Sequence, residues 1–173
     1  MDHIDVLISE EEITTRICEL AEEINKEYAG KEIRLVVILK GSIFFACELA
    51  KHLTIPVTFD FMAVSSYGDG MVSAGKLTVK KELDEDICDT NVLIVEDIVD
   101  SGITLSNLKQ LLLARNPASL KIITLLDKPE RRVTDIQTDY CGFQIPDEFV
   151  VGYGLDYAQK YRNLPYVGVL KQD

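Results

Sequence analysis

The 173-residue chain predicts an α/β fold, a central parallel sheet flanked by helices. Runs rich in β-branched residues alternate with stretches of helical spacing, the pattern of strands joined by crossover helices. The clearest of those runs are continuously apolar, as strands covered on both faces must be. Three of them end in a short polar loop, at Lys40-Gly41, Glu96-Asp97 and Lys128. Ligands of open parallel sheets bind beyond the carboxyl ends of the strands, so these loops mark one candidate site.

Each element has its own signal. The opening segment, with His3, is expected to be mobile. Ser9-Glu10-Glu11-Glu12 reads as a capping box, after which Ile13, Ile17, Leu20, Ala21 and Ile24 keep helical spacing until Gly30 stops it. Residues 33–39 form a β-branched strand, and 43–52 a second helix with His52 at its polar end. Pro56 precedes a strand over 57–64. A polar loop over 65–76 carries Gly68, Gly70 and Gly75 and suits a lid. Residues 77–80 form a short strand, 91–95 a buried one, 105–114 a helix and 120–126 the next strand. Short strands over 149–151 and 167–170 complete the chain.

Composition narrows the function. With 47% hydrophobic residues and no linker or repeat, the chain can bury roughly 70% of its unfolded surface as one domain. The first residues lack the regions of a signal peptide, and no apolar run approaches the ~20 residues that span a bilayer. The expectation is a cytoplasmic protein without a membrane partner. Cys18, Cys47, Cys88 and Cys141 are scattered, which predicts buried or half-buried thiols rather than a disulfide or metal framework. Two histidines, neither placed like a catalyst, leave little material for zinc or Ser-His chemistry. A net charge of −11 argues against a nucleic-acid partner but not against a small anion held by local cations and N–H groups.

The chemistry concentrates in residues 92–105. Four apolar residues lead into Glu96 and Asp97, and then into the small turn Asp100-Ser101-Gly102-Ile103-Thr104 before a helix. Glycine and a helix N-terminus present N–H groups, so the turn can cradle a phosphate. Carboxylates beside it would repel that ligand unless it also brings hydroxyls or a divalent metal. A ribose 5-phosphate carrying a Mg²⁺-bound pyrophosphate fits. A Walker A loop is absent, and Gly152-Tyr153-Gly154 lacks the third glycine and the helix of a dinucleotide loop.

This stretch resembles the phosphoribosyl-pyrophosphate motif of type I phosphoribosyltransferases. Asp100 is similar to the 6-oxopurine branch, which acts on hypoxanthine and guanine. Leu39-Lys40-Gly41-Ser42, Ser66-Tyr67, Leu126-Asp127-Lys128-Pro129, the run from Asp147 through Asp156 to Tyr157, and Arg162 extend the likeness over nearly the whole chain. Ser42 and Ser101 stand where many relatives carry Gly or Ala and Thr, small changes that preserve a cradle.

The resemblance implies one domain over 1–173, with a core at about 30–130 and a hood from the N-terminal segment and about 131–173. It implies Mg²⁺-dependent transfer of a phosphoribosyl group from phosphoribosyl pyrophosphate to hypoxanthine or guanine, with xanthine possible, giving IMP or GMP. Asp100 would be the general base at the purine N7. Its other role, as N-cap of the following helix, is compatible. Ser101, Gly102, Ile103 and Thr104 would hold the 5-phosphate, and Glu96 and Asp97 the ribose hydroxyls and metal. Asp156 would be a second metal ligand beside the purine. Lys40, Gly41 and Arg162 would bind pyrophosphate, and the Lys40-Gly41 peptide is one that relatives can hold cis. Lys128 would meet the purine O6, Phe149 would stack on the base, and Val150 would offer its main chain. Ser66 and Tyr67 belong to the closing loop. A homodimer or homotetramer is expected.

Two other readings compete. Val-Leu-Ile-Val-Glu-Asp also resembles the first strand of a signalling receiver, but only 76 residues follow Asp97, too few for the rest of such a fold of ~110–120 residues. A phosphoribosyltransferase fold recruited to regulate RNA or DNA conflicts with the negative charge.

Overall fold

The computed structural model describes residues 3–66 and 77–171. In chain order these form β1 (His3–Ile8), α1 (Glu10–Glu27), β2 (Ile33–Ile38), α2 (Ile43–His52), β3 (Val57–Ser66), β4 (Leu77–Lys81), β5 (Asn91–Val99), α3 (Ile103–Leu113), β6 (Ser119–Asp127), β7 (Tyr140–Gln144), β8 (Val150–Val151) and β9 (Val167–Lys171). The main sheet has the order β4-β3-β2-β5-β6-β7. β4 runs antiparallel to β3, and the remaining pairs are parallel. A second, antiparallel sheet has the order β1-β9-β8.

Side-chain alternation explains the layers. Ile33, Leu35 and Val37 of β2, with Leu93, Val95, Ile123 and Leu125, face the apolar stripe of α1 and the inner side of α2. Val36, Ile38, Val92, Ile94 and Ile122 face Leu105, Leu108 and Leu112 of α3. Both faces are covered, which is why these strands are apolar at successive positions. The capping box of α1 is complete: the Glu12 N–H donates to Ser9 Oγ at 3.2 Å and the Ser9 N–H to Glu12 Oε2 at 2.8 Å. All five stripe residues of α1 are buried.

The structure departs from the sequence reading in several places. The N-terminal segment is strand β1, with His3 opposite Lys171, because β9 supplies its backbone partners. β7 was not expected; it is short, and Gly142 interrupts its apolar pattern. Ser65 and Ser66 continue β3 rather than opening a loop. β5 runs to Val99, so the acidic pair lies within the strand and not after it. Main-chain pairing with β6 ignores side-chain charge, and it carries the ladder on to Val99 opposite Asp127. α3 begins at Ile103, behind a Gly102 cap at φ +82°, with no side-chain cap bond, so Asp100 is not the N-cap. All four cysteines are free, yet Cys47 and Cys88 are exposed, contrary to the buried-thiol expectation. Among the described residues no helix is long and apolar enough to cross a membrane.

Leu93 is fully buried in β5 against the α1 and α2 layer. Leu93→Ala is expected to lower stability by about 2–5 kcal/mol, seen as a lower urea midpoint at unchanged m-value.

Candidate active site

Two adjoining clefts open at the carboxyl ends of β2, β5 and β6. The first, of about 340 Å³, is lined by Lys40, Gly41, Glu96, Asp97, Asp100, Ser101, Gly102, Thr104 and Arg162, among others. The second, of about 520 Å³, is lined by Asp100, Lys128, Phe149, Val150 and Asp156, together with Arg131, Asp147 and Glu148. Asp100 and Ile98 border both. Parallel crossovers return each strand in the same sense, and that brings residues 40, 100 and 128 to one edge.

The turn after β5 is built as a cradle. Gly102 takes a left-handed conformation, and a Cβ there would come within 2.5 Å of both Ile136 and Thr134, so a larger residue has no room. The Ile103 N–H donates to Ser101 Oγ at 3.4 Å. The Ile103 side chain is exposed, and Ile103 is absent from the lining of the first cleft.

Glu96 and Asp97 crowd the floor of that cleft. Burial, then the neighbouring Asp97 charge, raises the Glu96 carboxyl well above its usual value. Burial also pushes Asp97 up to about 6, against the opposing pull of the Ile98 N–H, which donates to Oδ1 at 2.7 Å. Gly41 lies against this carboxylate: a Cβ on Gly41 would fall 1.6 Å from Asp97 Oδ2. Gly154, at φ +100°, presses on the other side, where its Cβ would lie 1.9 Å from the Gly41 oxygen. Gly41 is thus held between the Asp97 carboxylate and the Gly154 main chain, with no side chain of its own or of Gly154 in the way. The nonprolyl cis peptide is Leu39-Lys40, one bond earlier than the Lys40-Gly41 bond that the resemblance raised as one relatives can hold cis.

The remaining candidates are placed as follows. Lys128 is buried, with Nζ 3.6 Å from Asp100 Oδ1 and 3.8 Å from Asp147 Oδ1. Phe149 precedes β8, is 53% exposed, and meets the Tyr157 ring edge-on at 5.7 Å. Val150 is buried in β8. Asp156 is already engaged: Arg162 Nη2 lies 2.8 Å from Oδ1, and the Gln159 N–H donates to Oδ2 at 2.8 Å. Arg162 also donates to the Gly154 oxygen at 2.6 Å. Lys40 Nζ donates to Gln159 Oε1 at 3.1 Å. Ser66 ends β3, while Tyr67 and the rest of the expected lid, 67–76, lie outside the described residues.

Sequence reasoning missed Gln159 and gave no role to Asp147 and Tyr157, which it named only within a motif; each touches a candidate residue. Gln159 alone of the three holds positive φ, with Tyr153, Ala158 and Tyr161 nearby in the chain, a strain the residue types do not announce.

The donor chemistry suits a hard divalent cation. Two oxygen-only ligands are forced together with raised proton affinity, a repulsion that a cation relieves. Among the described residues no three His, Cys, Asp or Glu groups gather into a cage. A metal here would therefore draw most of its ligands from substrate oxygens and water, as Mg²⁺ does.

An α/β sheet with a glycine turn and a buried acidic pair lining a cleft at its carboxyl edge has the form of a transferase domain that takes a small polar ligand. The chain belongs to the phosphoribosyl transferase family, whose domain description matches residues 7–158. It is 54% identical over 168 residues, 97% of this chain and 93% of the relative, to a hypoxanthine-guanine phosphoribosyltransferase of Streptococcus pneumoniae. To the enzyme of that name from Bacillus subtilis it is 51% identical over 166 residues, covering 96% and 92%. A crystal structure of a hypoxanthine-guanine phosphoribosyltransferase from Bacillus anthracis superposes with a TM-score of 0.93 at 46% identity, covering 99% of this chain and all of that one. The receiver-domain reading is thereby excluded.

The raised Asp97 pKa makes a signed prediction. A carboxyl whose folded pKa exceeds its unfolded value weakens the fold as pH rises between the two, here from about 4 to about 6. Asp97→Asn is therefore expected to raise the Tm of metal-free protein at pH near 8. Melts across the pH range should show that gain shrinking below about pH 6.

Proposed function

We propose that the protein transfers the 5-phosphoribosyl group from phosphoribosyl pyrophosphate to hypoxanthine and guanine, with xanthine a further base. The products are IMP or GMP and pyrophosphate, a purine-salvage reaction. The observation that carries this reading is Asp100, which borders both clefts and lies 3.6 Å from Lys128. A carboxylate at that junction stands where a base nitrogen must meet a sugar carbon.

In this reading the 5-phosphate sits on Ser101, Gly102, Ile103 and Thr104, and the ribose hydroxyls lie toward Glu96 and Asp97. N9 attacks C1 as the bond from C1 to the pyrophosphate oxygen breaks, and Asp100 takes the purine N7 proton. Lys40, the Gly41 backbone and Arg162 receive the pyrophosphate. Bound Mg²⁺ supplies charge neutralisation for that leaving group; Glu96 and Asp97 would hold it, and Asp156 a second ion once Arg162 turns to pyrophosphate. The donor-only Lys128 ammonium bonds a 6-oxo oxygen and opposes the 6-amino group of adenine. Phe149 stacks on the base, worth about 1–3 kcal/mol, and the Val150 main chain meets its edge. Residues of about 131–173 with the N-terminal strand act as a hood over a core at about 30–130, and Ser66 and Tyr67 close over the reaction. A homodimer or homotetramer, to be measured by sedimentation, completes the proposal.

The test is a spectrophotometric assay of hypoxanthine, guanine, xanthine and adenine with phosphoribosyl pyrophosphate, with and without Mg²⁺. Turnover of the first two only with Mg²⁺ is expected; turnover of adenine alone would end the proposal. Asp100→Asn should lower turnover by roughly 10²–10⁴-fold while phosphoribosyl-pyrophosphate binding persists. Lys128→Ala should erode the preference for 6-oxopurines over adenine, read as a ratio of kcat/KM values.

A further inference from the structure

We infer that residues 128–134 form a brace that sets the phosphate-binding turn, with Arg132 as its positioning residue. This rests on the proposed reading of that turn as the 5-phosphate site. Three successive carbonyls, from the last residue of β5 into the turn, are held from behind by this one segment. The Lys128 N–H donates to the Val99 oxygen at 2.9 Å, Arg132 Nε to the Asp100 oxygen at 3.2 Å, and the Val133 N–H to the Ser101 oxygen at 3.0 Å. Thr134 Oγ1 reaches the same Ser101 oxygen at 3.5 Å.

The consequence follows from peptide geometry. In a planar trans peptide the N–H points opposite to the C=O. Drawing the carbonyls of residues 99, 100 and 101 toward the brace aims the N–H groups of Asp100, Ser101 and Gly102 away from it. The first cleft is lined by these same residues. Anion sites of this kind work when donors are fixed before the ligand arrives, because reorganisation then costs little.

Arg132 is the member of the brace that acts through a side chain fixed at several points. Nη1 donates to the Ile136 oxygen at 2.7 Å, and Nη2 pairs with Asp127 Oδ1. Both side chains are largely withdrawn from solvent, at 16% and 11% exposure, so each charge depends on the other. The same side chain abuts Gly102, where a Cβ would lie 2.9 Å from Arg132 Cδ. Asp127 immediately precedes Lys128, so the brace joins the phosphate turn to the lysine facing the second cleft. A lysine at 132 keeps the charge but lacks the planar fork that serves three acceptors at once.

The experiment compares IMP with inosine, which differ only in the 5-phosphate, by titration calorimetry on the parent, Arg132→Lys and Arg132→Gln. The expected result is a loss of IMP affinity on the order of 10-fold with inosine affinity unchanged. In steady state, KM for phosphoribosyl pyrophosphate should rise while KM for hypoxanthine stays. Asp127→Asn, which keeps an oxygen for the guanidinium, should give a smaller loss of the same kind. If Arg132→Gln does not fold, Arg132→Lys and Asp127→Asn decide the matter. A parental IMP-to-inosine ratio in a folded variant, or equal loss of both ligands, overturns the brace. A parent that does not prefer IMP to inosine overturns the phosphate assignment itself, a separate failure.

Discussion

The site depends on the register of β5 on β6. Parallel pairing carries Val99 opposite Asp127, so the next residues of the two strands, Asp100 and Lys128, leave the sheet as neighbours. Side chains in a strand alternate with a period of two, and a one-residue slip would send either group to the other face. The apolar residues before them, Val92 to Val95 and Ile122 to Ile123, fix that register because both faces of the sheet are covered. Placement of two polar groups is thus enforced by hydrophobic burial several residues away.

Much of this was legible in the residues. The continuous apolar runs of β2, β5 and β6 announced a covered parallel sheet, and the polar loops after them marked the edge where the two clefts open. The capping box located the start of α1 to the residue. What stayed hidden depends on contacts distant in sequence. β1 has no distinct pattern of its own and exists through β9. The acidic pair looked like the end of a strand, because local propensity cannot register backbone pairing with β6. Asp100 is a plausible helix cap by composition, yet a left-handed glycine takes that place. Asp147 and Gln159 are ordinary surface types until the fold sets them beside Lys128 and Lys40.

Electrostatically, the protein solves a local problem against its global charge. A chain with a net charge of −11 offers poor long-range attraction to a polyanionic substrate. In the proposed reading, capture rests on short-range donors: the N–H groups of the turn, and Lys40 and Arg162 at its rim. In the free protein those cations are occupied, Lys40 by Gln159 and Arg162 by Asp156. A substrate bound as proposed would displace these partners, so its affinity would reflect an exchange of contacts rather than their simple addition.

The glycine-on-glycine junction at residues 41 and 154 couples two backbone segments of the site. Without side chains to yield, displacement of one main chain is handed undiminished to the other. The hairpin bearing Gly154 also carries the residues that grip Arg162 and Lys40. A rigid contact of this kind ties the segment that holds Arg162 and Lys40 to the turn that contains Gly41.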